Sequence, residues 1–247
     1  IANWRQLLRN DIGIDLGTSN TLVYLKGKGI VINEPSVVAV NQKTGRLVAI
    51  GNEARAMLGR TPPHIVAVKP IIEGVISDFD VTEEMLAYLM RKAEVGNKKL
   101  FGPRVVVGVP SNITNVEIRA VRDATRNAGA SEVYIVEEPM AAAIGMRLPV
   151  REPVGSMVVD IGGGTADIAV ISLGGTVSSK NVRIAGEKLN RDITSYIRNE
   201  FKVLIGEKTA ENIKITIGST MVLKEGAESS VKGRDLVTGL PREVIIT

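Results

Sequence analysis

Apolar positions along the chain fall into short β-branched runs separated by stretches of helical spacing. The runs Asp11–Leu16, Thr21–Leu25, Gly29–Ile32, Val37–Val40, Val105–Val109, Val133–Val136, Met157–Ile161 and Ile168–Ser172 predict strands. Met85, Leu86, Leu89 and Met90 recur at helical spacing and predict a helix over Thr82–Glu94, after Asp80. A second helix is predicted over Asn115–Ala128, closed by Gly129, and an Ala-rich third over Glu138–Met146. Glu187–Phe201 and Thr209–Ile217 complete the helices, and strands mixed with helices predict α/β layers.

One internal echo organises the rest. Residues 12–25 and residues 157–171 each read as an apolar strand ending in an acid (Asp15, Asp160), a turn of small residues, and a second apolar strand. The copies open two halves, 1–150 and 151–247, with a boundary in the Pro- and Gly-bearing segment Leu148–Ser156. Each turn has the chemistry of a phosphate cradle. Gly17, Thr18, Ser19 and Asn20 in the first, and Gly162, Gly163, Gly164 and Thr165 in the second, offer closely spaced backbone N–H donors with little side-chain obstruction. Asp15 and Asp160 at the strand ends suit a hydrated Mg²⁺ that keeps most of its waters. The pattern is neither a Walker A loop nor a dinucleotide fingerprint, since no Gly-Lys-Ser/Thr opens a helix. Glu137-Glu138-Pro139 joins a strand to a helix. It reads equally as an acid aimed into a cleft or as a helix start enriched in acid for dipole reasons.

Composition narrows the class. The chain has 247 residues, 44% apolar and 23% charged, enough for a real core. Aromatics are 3%, too few for a nucleic-acid surface built on base stacking, and a net charge of +4 spread along the chain does not specify DNA. There is no cysteine, so disulfides and Cys-bound metals are excluded. The longest apolar runs, Val105–Val109 and Met140–Met146, fall far short of the roughly 20 residues of a membrane span, and no h-region predicts secretion. Ile1, Trp4, Leu7 and Leu8 form a helical stripe beside Arg5 and Arg9, which reads as an interfacial anchor or as an arm packed on the domain. Leu100-Phe101, between Lys98-Lys99 and Gly102-Pro103, reads as an exposed apolar loop or one tucked on its own core.

These motifs resemble the actin, DnaK-type chaperone and sugar-kinase superfamily. Asp15–Thr21 is similar to its first phosphate motif, Asp160–Thr165 to its second and Glu137–Gly145 to its connecting motif. Within it the chain is similar to the MreB family, on Gly27–Ser36, Pro103–Pro110, Glu137–Gly145 and Ile184–Glu187. The resemblance implies an actin-like (ribonuclease H-like) duplicated α/β fold, four subdomains around a nucleotide cleft. The small subdomains would be about 33–70 and about 187–247. It implies ATP with Mg²⁺ and slow hydrolysis coupled to polymerisation. It also implies double protofilaments at the inner face of the cell membrane, cytoplasmic, with cell-wall synthesis and shape proteins as partners and no nucleic acid. By position, Glu138 would orient water and Thr165 would assist at the γ-phosphate. Asp15 and Asp160 would hold the metal's waters, and Gly186, Glu187, Lys188, Glu211 and Lys214 would lie near the nucleoside. Leu100-Phe101 matches the family's membrane-inserting loop. Two departures stand out. No Gly-rich third motif occurs between Ser219 and Thr247, so the last part of the fold is expected to be missing, and Ala166-Asp167 stands where a hydroxyl and a Glu are expected. A chaperone ATPase domain and a small-molecule kinase are the competing readings on the same fold.

Overall fold

The computed structural model describes residues 8–96, 99–221 and 226–247. The chain forms two compact units, Ile1–Arg183 and Ile184–Thr247.

The first unit is built on a five-stranded sheet that runs, edge to edge, Glu132–Glu137, Arg104–Val109, Asp11–Leu16, Asn20–Leu25, Gly29–Pro35. Strands β1 (Asp11–Leu16), β2 (Asn20–Leu25) and β3 (Gly29–Pro35) form an antiparallel meander. β9 (Arg104–Val109) and β10 (Glu132–Glu137) add in parallel beyond β1, each reached through a helix. Between β3 and β9 lies an inserted sheet of β4 (Val38–Asn41), β5 (Leu47–Ile50) and β6 (Ile65–Val68) with the short α1 (Asn52–Met57). A two-strand hairpin of β7 (Ile71–Ile72) and β8 (Val75–Ile76) follows.

Helices α2 (Phe79–Ala93) and α3 (Asn115–Asn127) pack on the five-stranded sheet. The stripe read from the sequence does this: Met85, Leu86, Leu89 and Met90 are buried against Ile12, Ile14, Val105 and Val107. Each such side chain contributes about 1.5–3 kcal/mol. α2 begins one turn earlier than its spacing predicts, because Asp78 accepts a bond from the Val81 N–H and caps it. α3 carries a full capping box, with Thr114 and Glu117 serving each other's backbone. After α4 (Glu138–Gly145) comes a second antiparallel sheet, β11 (Ser156–Ile161), β12 (Ala166–Ser172) and β13 (Gly175–Val182). Ala143 of α4 seals against Val158, Ala169 and Ile171 of that sheet.

The second unit pairs α5 (Gly186–Phe201) and α6 (Glu207–Ile217) over a small sheet of β14 (Val203–Leu204), β15 (Ser229–Asp235) and β16 (Pro241–Ile246). Its core is Ile197, Val203, Ile205, Ala210, Ile213, Val231, Val244 and Ile246. Asp235 staples the β15–β16 turn. Backbone N–H groups of Thr238 and Val237, then Arg242, hold its carboxyl down at about 2.

Candidate functional site

Both Asp-headed hairpins form as read, β1–β2 and β11–β12, and the fold brings their turns face to face. They enclose a cleft of about 280 Å³ lined by Asp15, Gly17–Asn20, Glu138, Asp160, Gly162–Thr165 and Asp167. The approach is close enough to require glycine. A Cβ on Gly163 would lie 1.9 Å from Ser19 Oγ, and one on Gly164 would lie 2.5 Å from Thr18 Oγ1 and 2.9 Å from Glu73 Cα.

The first turn is braced from behind by Ser36, whose hydroxyl donates to the Gly17 carbonyl (2.6 Å) and whose N–H donates to the Ser19 carbonyl (3.0 Å). Because a trans peptide points its C=O and N–H opposite ways, the N–H groups of Thr18 and Asn20 are turned away from Ser36. In the second turn, the Gly162 N–H closes on the Thr165 carbonyl at 2.9 Å. Among the lining residues not assigned to the site from the sequence are Gly74, Pro110 and Asp167, the last noted there only as a departure from the motif. Gly74 lies at the tip of the β7–β8 hairpin, after Glu73, with consecutive positive φ of 50° and 78°. That is the signature of a two-residue hairpin turn. The Gly74 N–H donates to Thr18 Oγ1 at 2.9 Å. Pro110 lines the wall beside it, and Asp167 lies at the base. The Glu-Gly pair between Ile71-Ile72 and Val75-Ile76 was the available signal for the hairpin.

The two acids before Pro139 part company. Glu137 receives the Thr176 hydroxyl at 2.8 Å. Glu138, the first residue of α4, lines the cleft. Gly108 of β9 lies against its side chain, where a Cβ would meet Glu138 Cγ at 3.4 Å, an ordinary contact. Burial, then the charges of Asp15, Asp167 and Asp160, push the Glu138 carboxyl up to about 8. Desolvation and the facing Asp160 raise Asp15, and desolvation and Asp167 raise Asp160. Among the described residues, none that lines this cleft is basic. Two like charges about 4 Å apart repel by roughly 4 kcal/mol near a protein surface, so a polyphosphate could not enter as a bare anion. The donor set fits a divalent cation that keeps its waters: the carboxylates share one cleft, yet no three acids among the described residues converge tightly enough to ligate a metal directly.

The remaining predicted residues lie elsewhere. Gly186, Glu187, Lys188, Glu211 and Lys214 belong to the second unit, where Lys214 Nζ donates to the Gly186 carbonyl at 3.2 Å and Lys188 pairs with Asp192. Trp4 and Leu7 lie outside the described residues. The Leu8 carbonyl accepts the Phe101 N–H at 3.2 Å, so Leu8 lies beside the Leu100-Phe101 loop. Leu100 is 77% and Phe101 38% exposed. Among the described residues no helix is long and apolar enough to cross a membrane.

Paired hairpins with facing turns, an insertion between β3 and β9, and an acid at the start of α4 define a protein of the actin-like fold. Solved structures agree. MreB5 of Spiroplasma citri bound to ADP superposes with a TM-score of 0.89 at 39% identity, over 96% of this chain and 71% of that one. A MamK double helical filament gives 0.79 at 22% identity, over 96% and 72%, and supports the fold alone. The family model for MreB/Mbl protein matches residues 9–247, and the chain belongs to that family. Cell shape-determining protein Mbl of Bacillus subtilis (strain 168) is 50% identical over 241 residues, 97% of this chain and 72% of the relative. Cell shape-determining protein MreB of Escherichia coli (strain K12) is 50% identical over 246 residues, 98% and 71%.

Proposed function

We propose that this chain is an actin-like cytoskeletal subunit that binds ATP as its Mg²⁺ complex between the two turns, hydrolyses it slowly, and assembles into filaments that determine cell shape. The observation that carries this reading is the cleft itself: two turns pressed together around clustered acids, with no base among the described residues that line it. The relatives are cell shape-determining proteins, and MreB5 of Spiroplasma citri has been solved with ADP and with AMPPNP.

In this account Gly17–Asn20 and Gly162–Thr165 hold the phosphates, and the waters of Mg²⁺ are held by Asp15 and Asp160. The cation supplies the charge neutralisation that the acidic cleft otherwise lacks. Glu138 orients the attacking water. Thr165, buried at the second turn, steadies the phosphate under attack. Gly186, Glu187, Lys188, Glu211 and Lys214 are assigned to the nucleoside, and 1–150 and 151–247 to the duplicated halves. The N-terminal stripe and the Leu100-Phe101 loop serve as paired weak anchors on the inner membrane surface, multiplied by the filament. Partners in this reading are a second copy of the chain, in double protofilaments, and the cell-wall synthesis machinery. Calorimetric titration with ATP tests the core of it: binding at micromolar affinity with Mg²⁺ and none with EDTA is expected. Equal binding without the metal would remove the argument.

A further inference from the structure

Asp167 departs from the expected motif and is the most enclosed acid of the cleft, 1% exposed. It sits on β12 directly across from Asp160 on β11. Its two oxygens are committed elsewhere. Oδ1 accepts the Ser111 backbone N–H and Oδ2 accepts the Asn181 side-chain N–H, both at 2.8 Å. Ser111 follows Pro110 at the exit of β9, the strand that runs between Asp15 and Glu138.

From there a closed ring of contacts can be traced. Pro110 lies against Gly74, where a Cβ would be 2.6 Å from Pro110 Cγ. The Gly74 N–H holds Thr18 of the first turn. Thr18 lies against Gly164 of the second turn, three residues before Asp167. Every other link in this ring is a packing contact or a bond between neutral groups. The Asp167–Ser111 link is made by a buried carboxylate, so it is the strongest tie in the ring. A side bond from the Ser179 hydroxyl to Asn112 Oδ1, at 3.3 Å and exposed, is too weak to replace it.

We propose that Asp167 is a positioning residue for phosphoryl transfer: by holding Ser111 and Asn181 it fixes the β9 exit, and through Pro110 and Gly74 the spacing of the two phosphate turns. This rests on the cleft being the ATP site. Ground-state binding tolerates a slightly loosened cradle, whereas in-line attack does not, so the residue acts on turnover more than on affinity.

The test uses the full chain with Mg²⁺ and ATP. Asp167→Asn keeps an acceptor for Ser111 but sets one amide donor against that of Asn181. The exchange Asp167→Asn with Asn181→Asp restores both bonds with the charge moved one residue across. We expect the single variant to lose about tenfold or more in kcat while KM moves less than about threefold, and the exchange to recover kcat to within about threefold. Hydrogen exchange at the Ser111 amide should be faster in the single variant, whose acceptor is uncharged and pushed by the Asn181 amide, and slow again in the exchange. A single variant with wild-type kcat overturns the proposal, as does a loss that falls on KM with kcat unchanged, or no recovery of kcat in a folded exchange variant. If the single variant does not fold, the exchange variant alone decides: kcat near wild type supports the tie, low kcat with intact melting overturns it. Failure of the wild type itself to bind ATP would instead sink the reading of the cleft, and is seen separately in the calorimetric titration.

Discussion

Replacing Glu138 with Gln should make the nucleotide- and metal-free protein more stable in mildly alkaline solution. The carboxyl is raised from 4.5 to about 8, first by burial and then by Asp15, Asp167 and Asp160. A raised folded-state value means the folded protein keeps a proton that the unfolded chain has released. The stability this contributes is complete below 4.5, falls as pH rises, and is gone above about 8. At about 1.4 kcal/mol per pH unit the whole interval corresponds to roughly 5 kcal/mol, a ceiling that solvent reaching the half-buried side chain will lower. Gln is nearly isosteric and cannot ionise. The two proteins should therefore be equally stable near pH 4.5 and diverge steadily to pH 8, the variant ahead by several kcal/mol. Urea unfolding of both proteins at stepped pH from about 4.5 to 9 reads this directly. Parallel stability curves would refute the claim that these acids are crowded into one desolvated cleft.

Two more outcomes follow from the geometry. Gly163→Ala places a Cβ 1.9 Å from Ser19 Oγ, so the turns must part, and ATP affinity should fall at least about tenfold by calorimetry while melting shows an intact fold. Phe101→Asp, beside the exposed Leu100, should cut cosedimentation with anionic vesicles several-fold and leave polymer yield in solution unchanged. Loss of both together would mean that the loop supports the fold instead.

The cleft was legible because its chemistry is local. An acid at a strand end followed by small residues marks both hairpins, and the ladders Asp15–Leu22 and Asp160–Asp167 form where the sequence places them. Short apolar β-branched and aromatic runs gave β9 and β10, although Val106 and Tyr134 on them stay exposed. β13 was missed because Thr176, Ser178, Ser179, Lys180 and Asn181 show no apolar alternation. β15 was missed because Val231 is its only buried apolar residue. The inserted sheet was placed as a region, but β5, α1 and β6 are too short for periodicity to declare them. The parts of the site that stayed hidden, Gly74, Pro110, Ser36 and Asp167, act through contacts more than a dozen residues apart in the chain, which no local pattern encodes. Glu138 was assigned from the resemblance alone, and the Thr176 bond that occupies Glu137 comes from a strand that could not be foreseen.

The most direct test of the central claim is high-speed sedimentation with electron microscopy, with ATP and Mg²⁺, with ADP, and with Glu138→Ala. The account predicts filaments with ATP that dissolve as it is consumed, and filaments in the variant that outlast them because hydrolysis is slowed. ATP bound but no polymer under any condition, or variant filaments that dissolve as fast as the wild type's, would contradict it.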